Sequence, residues 1–351
     1  MIALSLREFF ENNDDLREKL KKSEKSIFLY GTGNGADKVI DDFNSRGIEI
    51  SGVFVSDGFC RDRTFRGFKV KTLSDVQNEN ADFIAALSFG SDREEVIKNV
   101  DKIAEKYEYY AVDVPVYGDN IFDREFVNKN IDKIELARTL FYDGESREIY
   151  DNMVKFKFTG RREFLKKCES DSVPFEFKKG EKYLDLGAYN GDTVLSFVNS
   201  CPDYSFITAL EPDGKNFKKL EKNTENLRDI RLINACVSDF DGESYFTSAK
   251  GRGGSSDNGK IPVKAVSVDS ILKNEDVTYL KADVEGAESK AVDGMREIIL
   301  RCKPKMKIAC YHRSEDIFSL IIKVMNIRSD YKAFIRHTPH TLGWDTDLYF
   351  V

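Results

Sequence analysis

YLDLGAYNGDTVLSF, residues 183–197, joins a strand-like run to a helix-like one through a turn that carries Gly187 and Gly191. SIFLYGTGNGADKVI, residues 26–40, has the same grammar, with glycines at 31, 33 and 35. Working outward from 183, the strand KYLDLG and the helix GDTVLSFVNS are followed by YSFITALE, DGKNFKKLEKNTENL and IRLINACVS, which read as strand, helix and strand. ESYFTS and IPVKAVSV read as a hairpin. VTYLKADV and KMKIACYH are further strands, each followed by a helical stretch, and YKAFIRHT with DTDLYFV can close the sheet as an antiparallel pair. Strands alternating with helices predict a mostly parallel α/β sheet.

The first stretch opens a smaller unit of the same kind. SIFLYG, IEISGVFVSD, DFIAALSFG and YYAVDVP are its expected strands, ending at Pro115. We therefore expect a Rossmann-like domain over 1–115, a helical connector over 116–175 and a second α/β domain over 176–351. A chain of 351 residues is more than one core usually serves. With 33% charged residues and a net charge of −7, the composition is that of a globular protein and argues against nucleic acid as the main partner. No apolar run approaches the roughly 20 residues of a membrane span. The N-terminus has acids where a secretory signal would have an apolar core. Six scattered cysteines without a CxxC pair point to a cytoplasmic setting.

The turn at 187–191 is neither GxGxxG nor a P-loop, so it does not read as a pyrophosphate cradle. Asp185 ends its strand, and Glu211 ends the next one about 20 residues beyond the glycines, where an acid takes both hydroxyls of a ribose. Two carboxylates would repel a dinucleotide's phosphates. They suit a ribose-bearing cofactor with a cationic amino-acid end, which describes S-adenosylmethionine.

DLGAYNGDT, LEPDGKNFKKLEKN, VSVDSIL, LKADVEGAE and KPKMKIACYH, in that order, resemble the motifs of the FkbM family of S-adenosylmethionine-dependent methyltransferases. The likeness runs from about residue 182 to the C-terminus. Tyr189 stands where the family more often has Asn. The resemblance implies a seven-stranded sheet with a reversed last strand. It also implies that Asp185, Gly187 and Gly191 line the methionine end, with Glu211 at the ribose and Asp213 near the adenine edge. Ser238 and Asp239 would meet the adenine, and Asn190 and Thr193 are further cofactor candidates. A hydroxyl acceptor on a sugar, glycan precursor or related polyol is likewise implied by the family.

Methyl transfer from a sulfonium is an in-line displacement, and an alcohol acceptor also needs a base. Asp283, Glu285 and Glu288 follow the fourth parallel strand, and His312 follows the fifth, all at carboxyl ends where open α/β sheets bind ligands. Asp283 is expected to face cofactor and acceptor, with His312 or Glu285 as the base. Glu288 reads as a helix N-terminal acid. The acids could hold Mg²⁺, but nothing in the sequence demands it, and no metal site is expected. His337 and His340, split by Pro339, read as turn residues near the site. The loop AKGRGGSSDNGK offers Lys250 and Arg252 either as a lid or as a solvated hairpin tip.

Gly31-Thr32-Gly33-Asn34-Gly35-Ala36 partly fits GxGxxG/A, with Asp57 where a ribose acid would sit. FLYGTGNGADKVIDDF, GIEISGVFVSD and FRGFKVKTL resemble the N-terminal domain of PglD-type sugar acetyltransferases. That resemblance implies a nucleotide-sugar at Gly31–Gly35, or a scaffold for a homodimer. Two rival readings follow: a nucleotide-sugar or NAD-dependent enzyme that uses this first turn, and a non-catalytic cofactor-binding module.

Overall fold

The computed structural model describes residues 5–59, 63–170, 172–246 and 261–351; Lys250 and Arg252 lie outside them. The chain forms two compact units. One comprises Met1–Thr139, Gly144–Asp171 and His337–Thr346, and the other Leu140–Asp143, Ser172–Arg336 and Asp347–Val351. No helix among the described residues is long and apolar enough to cross a membrane.

The first unit holds β1 (Ile27–Tyr30), β2 (Gly52–Val55), β3 (Thr64–Phe65), β4 (Phe68–Thr72), β5 (Ile84–Leu87) and β6 (Glu108–Ala111). Their order is β3-β4-β2-β1-β5-β6. All pairs are parallel except β3–β4. That hairpin turns at Arg66 (φ +50°) and Gly67 (φ +85°), the two positive dihedrals a tight hairpin needs. The division differs from the boundaries read at 115 and 175. The helix Gly144–Thr159, expected in a connector, buries Tyr150, Phe156 and Phe158. Its Lys157 pairs with buried Asp113 at 2.8 Å, and Phe158 meets Phe10 at 4.9 Å between ring centres. The late segment is tied in by Thr341, whose amide donates to the Ser91 carbonyl at 3.0 Å.

The second unit holds β7 (Lys182–Leu186), β8 (Phe206–Leu210), β9 (Ile230–Ile233), β10 (Cys236–Val237), β11 (Gly242–Phe246), β12 (Ile261–Val266), β13 (Tyr279–Ala282), β14 (Lys305–Ala309), and, save their end residues His337 and Thr346, β15 (Ala333–His337) and β16 (Thr346–Phe350). Seven make one sheet in the order β15-β16-β14-β13-β7-β8-β9. β16 runs antiparallel to β14. This is the mostly parallel sheet with a reversed late strand that the sequence led us to expect. The segment IRLINACVS is not one strand. After β9, the Asn234 side-chain Nδ2 donates to the Glu211 carbonyl at 2.8 Å, and β10 joins a small sheet with the β11–β12 hairpin. The single helix expected after β13 breaks at Met295 into Glu288–Gly294 and Arg296–Cys302.

Chain order reverses at β7. The chain proceeds to β8 and β9 on one side and returns to β13 and β14 on the other. The carboxyl ends of β7 and β13 therefore flank a topological switch point, the place where such sheets take ligands. Below it, Tyr183 and Tyr279 stack at 4.9 Å with Phe197 packed against both, an apolar floor under the strand that carries Asp185.

Candidate functional site

The turn after β7 is built for close approach. Gly187 has φ +81°, and a Cβ there would lie 1.9 Å from the Asp283 carbonyl oxygen, so only glycine fits. Gly191, at φ +90°, starts the helix Asp192–Ser200. Tyr189 holds φ +48°, a left-handed conformation that is costly for a bulky residue. An Asn would adopt it more readily.

Asp185 is fully buried. Its Oδ2 accepts the Thr193 hydroxyl, while its Oδ1 has no hydrogen-bond partner among the described residues. Buried Lys281 supplies the counter-charge. Its Nζ donates to the Gly187 carbonyl at 2.8 Å and lies 3.5 Å from Asp185 Oδ1 and 3.9 Å from Asp283. The 3.5 Å approach is ion pairing without hydrogen-bond geometry. Burial pulls the Lys281 ammonium down, but Asp185 and Asp283 outweigh it and hold it above its ordinary range. The sequence reading passed over Lys281. Its signal was a lysine inside a strand of a parallel sheet covered on both faces.

Glu211 is buried beside this turn. Its Oε2 accepts the Tyr189 amide and its Oε1 the Asp213 amide, both at 2.9 Å. Burial raises its pKa against those two amides. Each oxygen keeps a lone pair for a hydroxyl. Asp213 is the N-cap of the helix Gly214–Asn223, accepting the amides of Lys215 and Asn216. Asn190 accepts the Asp192 amide at 3.1 Å. Ser238 is buried and donates to the exposed Asp239 at 3.0 Å.

The second cluster forms where β13 and β14 end. The chain leaves β13 at Ala282 and turns through Glu285 (φ +56°) and Gly286 (φ +87°), rather than alternating onward as a strand. That turn brings Asp283 Oδ1 and Glu285 Oε2 each to 3.5 Å from His312 Nε2. The other ring nitrogen, Nδ1, meets Glu288 Oε1 at 2.8 Å. Glu288 does open its helix, but it is fully buried, and its Oε1 also accepts the Val284 amide. Burial lowers the His312 pKa, yet the bond to Glu288 and the charges of Asp283 and Glu285 carry it up to about 9. Asp316, buried nearby, is pushed up to about 7 by burial and by Glu288.

His337 and His340 belong to the first unit. Burial drives His337 down to about 3 and His340 to about 4. His337 Nδ1 bonds the Thr346 hydroxyl, and His340 Nδ1 accepts the Leu342 amide. Asp57 is exposed, and its carboxylate is occupied by the Ser74 amide and hydroxyl.

Residues 185–333 match the family model of the methyltransferase FkbM domain. Residues 185–333 thus carry a methyltransferase FkbM domain. Among solved structures, it is similar over 95% of its length to 92% of methyltransferase FkbM from Methylobacillus flagellatus, with TM-score 0.71 and 18% identity. Fibrillarin of Aeropyrum pernix, solved with natively bound S-adenosylmethionine, matches 52% of this chain over 70% of its own at TM-score 0.35 and 16% identity. An rRNA methylase of Streptococcus thermophilus matches 49% over 86% at TM-score 0.34 and 11% identity. No curated protein matches the chain. The methyl donor of an FkbM-type domain is S-adenosylmethionine. The residues present fit that donor, with an orphaned buried carboxylate oxygen on Asp185 and a turn at Gly187 that a Cβ would block.

Proposed function

We propose that this methyltransferase is an O-methyltransferase acting on a hydroxyl of a sugar, a glycan precursor or a related polyol. The observation that supports the reading is His312, held by buried Glu288 through Nδ1 and facing Asp283 and Glu285 through Nε2. A hydroxyl must lose its proton when its oxygen takes a methyl group, and this cluster is a proton acceptor at the carboxyl ends of β13 and β14.

S-adenosylmethionine supplies an electrophilic methyl group on a sulfonium. Asp185, with Gly187, Gly191, Asn190 and Thr193 around it, would hold the amino-acid end. Glu211 would take the ribose hydroxyls, and Ser238 and Asp239 the adenine. Asp213 supports that edge as a helix cap. Asp283 would orient the acceptor hydroxyl, and His312 Nε2 would take its proton as the oxygen gains the methyl group and S-adenosylhomocysteine leaves. The neutral imidazole is populated as pH rises toward about 9, and its high proton affinity makes it a strong acceptor. Glu285, more exposed, is the alternative acceptor.

For the first unit we propose a nucleotide-sugar ligand at Gly31–Gly35, in a PglD-like domain. Supporting it, Gly31 has φ +114° and a Cβ on Gly35 would lie 2.3 Å from the Ser88 carbonyl, so backbone passes close at this sheet's own switch point between β1 and β5. Asp57, spent on Ser74, gives no support to a dinucleotide there. The absence of disulfides among the five described cysteines agrees with a cytoplasmic setting. A homodimer built on this unit is part of the same proposal.

Calorimetric titration with S-adenosylmethionine and S-adenosylhomocysteine, followed by labelled-methyl transfer to a panel of sugars and polyols, tests the reading. Binding with transfer to a hydroxyl supports it. Binding with transfer only to nitrogen or carbon acceptors overturns the O-methyl assignment, and no binding at millimolar donor overturns the donor site.

A further inference from the structure

Asp283, Glu288 and His312 each offer one ligand atom, and these atoms lie within 4.8 Å of one another. They come from the turn after β13, the first turn of the next helix and the end of β14, so three separate elements converge on one point. Glu288 is fully buried, and its Oε2 has no hydrogen-bond partner among the described residues. A buried carboxylate oxygen left unpaired is expensive, and it is retained where something else satisfies it. Glu285 brings a further carboxylate to 3.5 Å from the imidazole.

Charge near this point is strongly unbalanced. The carboxylates of Asp283, Glu285, Glu288 and Asp316 surround a single imidazole. Lys281 lies 3.9 Å from Asp283 and is already committed to Gly187 and Asp185. The Arg313 guanidinium is turned to the Gly286 carbonyl, to which its Nε donates at 2.7 Å.

We propose that Asp283, Glu288 and His312 bind one divalent cation, with Glu285 available as a further oxygen ligand. Two carboxylates and one imidazole form a mixed oxygen–nitrogen set. Carboxylates suit Mg²⁺ and Mn²⁺, and an imidazole favours the transition metal of the two, so Mn²⁺ is preferred over Mg²⁺. Three protein ligands leave coordination positions open, and a cation there would bind a hydroxyl oxygen directly and make it easier to deprotonate. The inference goes beyond the methyl-transfer reading: His312 is a ligand when the cation is bound, the hydroxyl proton then passing to Glu285 or solvent, and is itself the proton acceptor when the cation is absent. The sequence held the acids and the histidine, but their convergence depends on the left-handed turn at Glu285.

The test uses the full-length protein, stripped with chelator and titrated with Mn²⁺ under electron paramagnetic resonance. One bound Mn²⁺ per chain is expected, with spin-echo modulation from a single imidazole nitrogen. Asp283→Asn, at a half-exposed position that tolerates the change, should weaken binding by at least the ~10–100-fold that losing an outer-shell partner costs. His312→Ala should remove the nitrogen modulation. Glu288→Gln should weaken binding as Asp283→Asn does, and circular dichroism checks its fold. Asp203→Asn, on the surface beside Lys179, should bind as wild type does. No Mn²⁺ uptake at 1 mM, or uptake that Asp283→Asn and His312→Ala leave unchanged, would overturn the proposal. Failure here leaves donor binding and methyl transfer intact, whereas failure of the methyl-transfer reading leaves Mn²⁺ binding intact.

Discussion

Two glycine turns sit at the switch points of two parallel sheets in this chain, and the acid that follows each one separates them. After Gly31–Gly35, Asp57 is exposed and bonded to Ser74. After Gly187–Gly191, Glu211 is buried and bonded to the amide of Tyr189 within the turn itself. The first acid serves its own local fold. The second is locked to the turn with lone pairs to spare. The histidines divide in the same way. In the first unit burial outweighs Asp92 beside His340 and holds both histidines neutral, while His312 is buried among carboxylates and held charged. Glycine content therefore says little about which turn binds a cofactor, and the company of the following acid says much.

The sharpest way to break the comparison is at the chemistry. His312→Asn should lower kcat for hydroxyl methylation by about 10²–10⁴-fold, the range for removing a general base, while calorimetry shows unchanged donor affinity. Equal losses of kcat and of donor affinity would make His312 a structural residue instead.

The glycines themselves come next. Gly187→Ala places a Cβ 1.9 Å from backbone at φ +81°. Strain of about 1–3 kcal/mol is expected, enough to weaken donor binding by up to about 100-fold. Gly33→Ala meets nothing within 4 Å and keeps an ordinary φ of −90°, so its donor affinity should equal wild type. Loss of donor binding in Gly33→Ala with none in Gly187→Ala would exchange the roles of the two turns. Glu211→Gln keeps the shape and removes the charge, and should cost donor affinity about 10–100-fold, in line with one charge-assisted hydrogen bond of about 1.5–3 kcal/mol. Asp57→Asn should cost none in the same titration.

How far the sequence carries such an argument depends on the range of the interaction. The sheet was legible because strand and helix periods are local, and the strand-end positions of Asp185, Glu211, Asp283 and His312 followed from them. The break after β9 was not, since it turns on the Asn234 side-chain Nδ2 reaching the Glu211 carbonyl 23 residues away. Glu288 read as a helix-terminal acid because its local context is just that; its burial against His312 is a tertiary fact. Lys281 was hidden for the same reason. The short segment His337–Thr346 joins the first unit through bonds to Ser91, some 250 residues away, which no local pattern announces.

The smallest expected effect concerns stability, and it tests whether the histidines differ as their surroundings require. His337 and His340 have folded pKa values of about 3 and 4, below the ordinary 6.5. The unfolded chain therefore binds more protons than the folded one between about pH 3 and 6.5, and stability must fall as pH drops through that window. His312, at about 9, has the opposite sign: the folded state holds the extra proton, so its contribution is full below pH 6.5 and is lost as pH rises through 9. Chelator-treated protein, melted across pH 4–10, should be most stable in between. His340→Gln should flatten the acid limb and leave the alkaline one, while His312→Asn should do the reverse. If His340→Gln instead flattened the alkaline limb, the assignment of a neutral first-unit histidine and a charged second-unit one would be wrong, because each limb reports the charge its own surroundings impose.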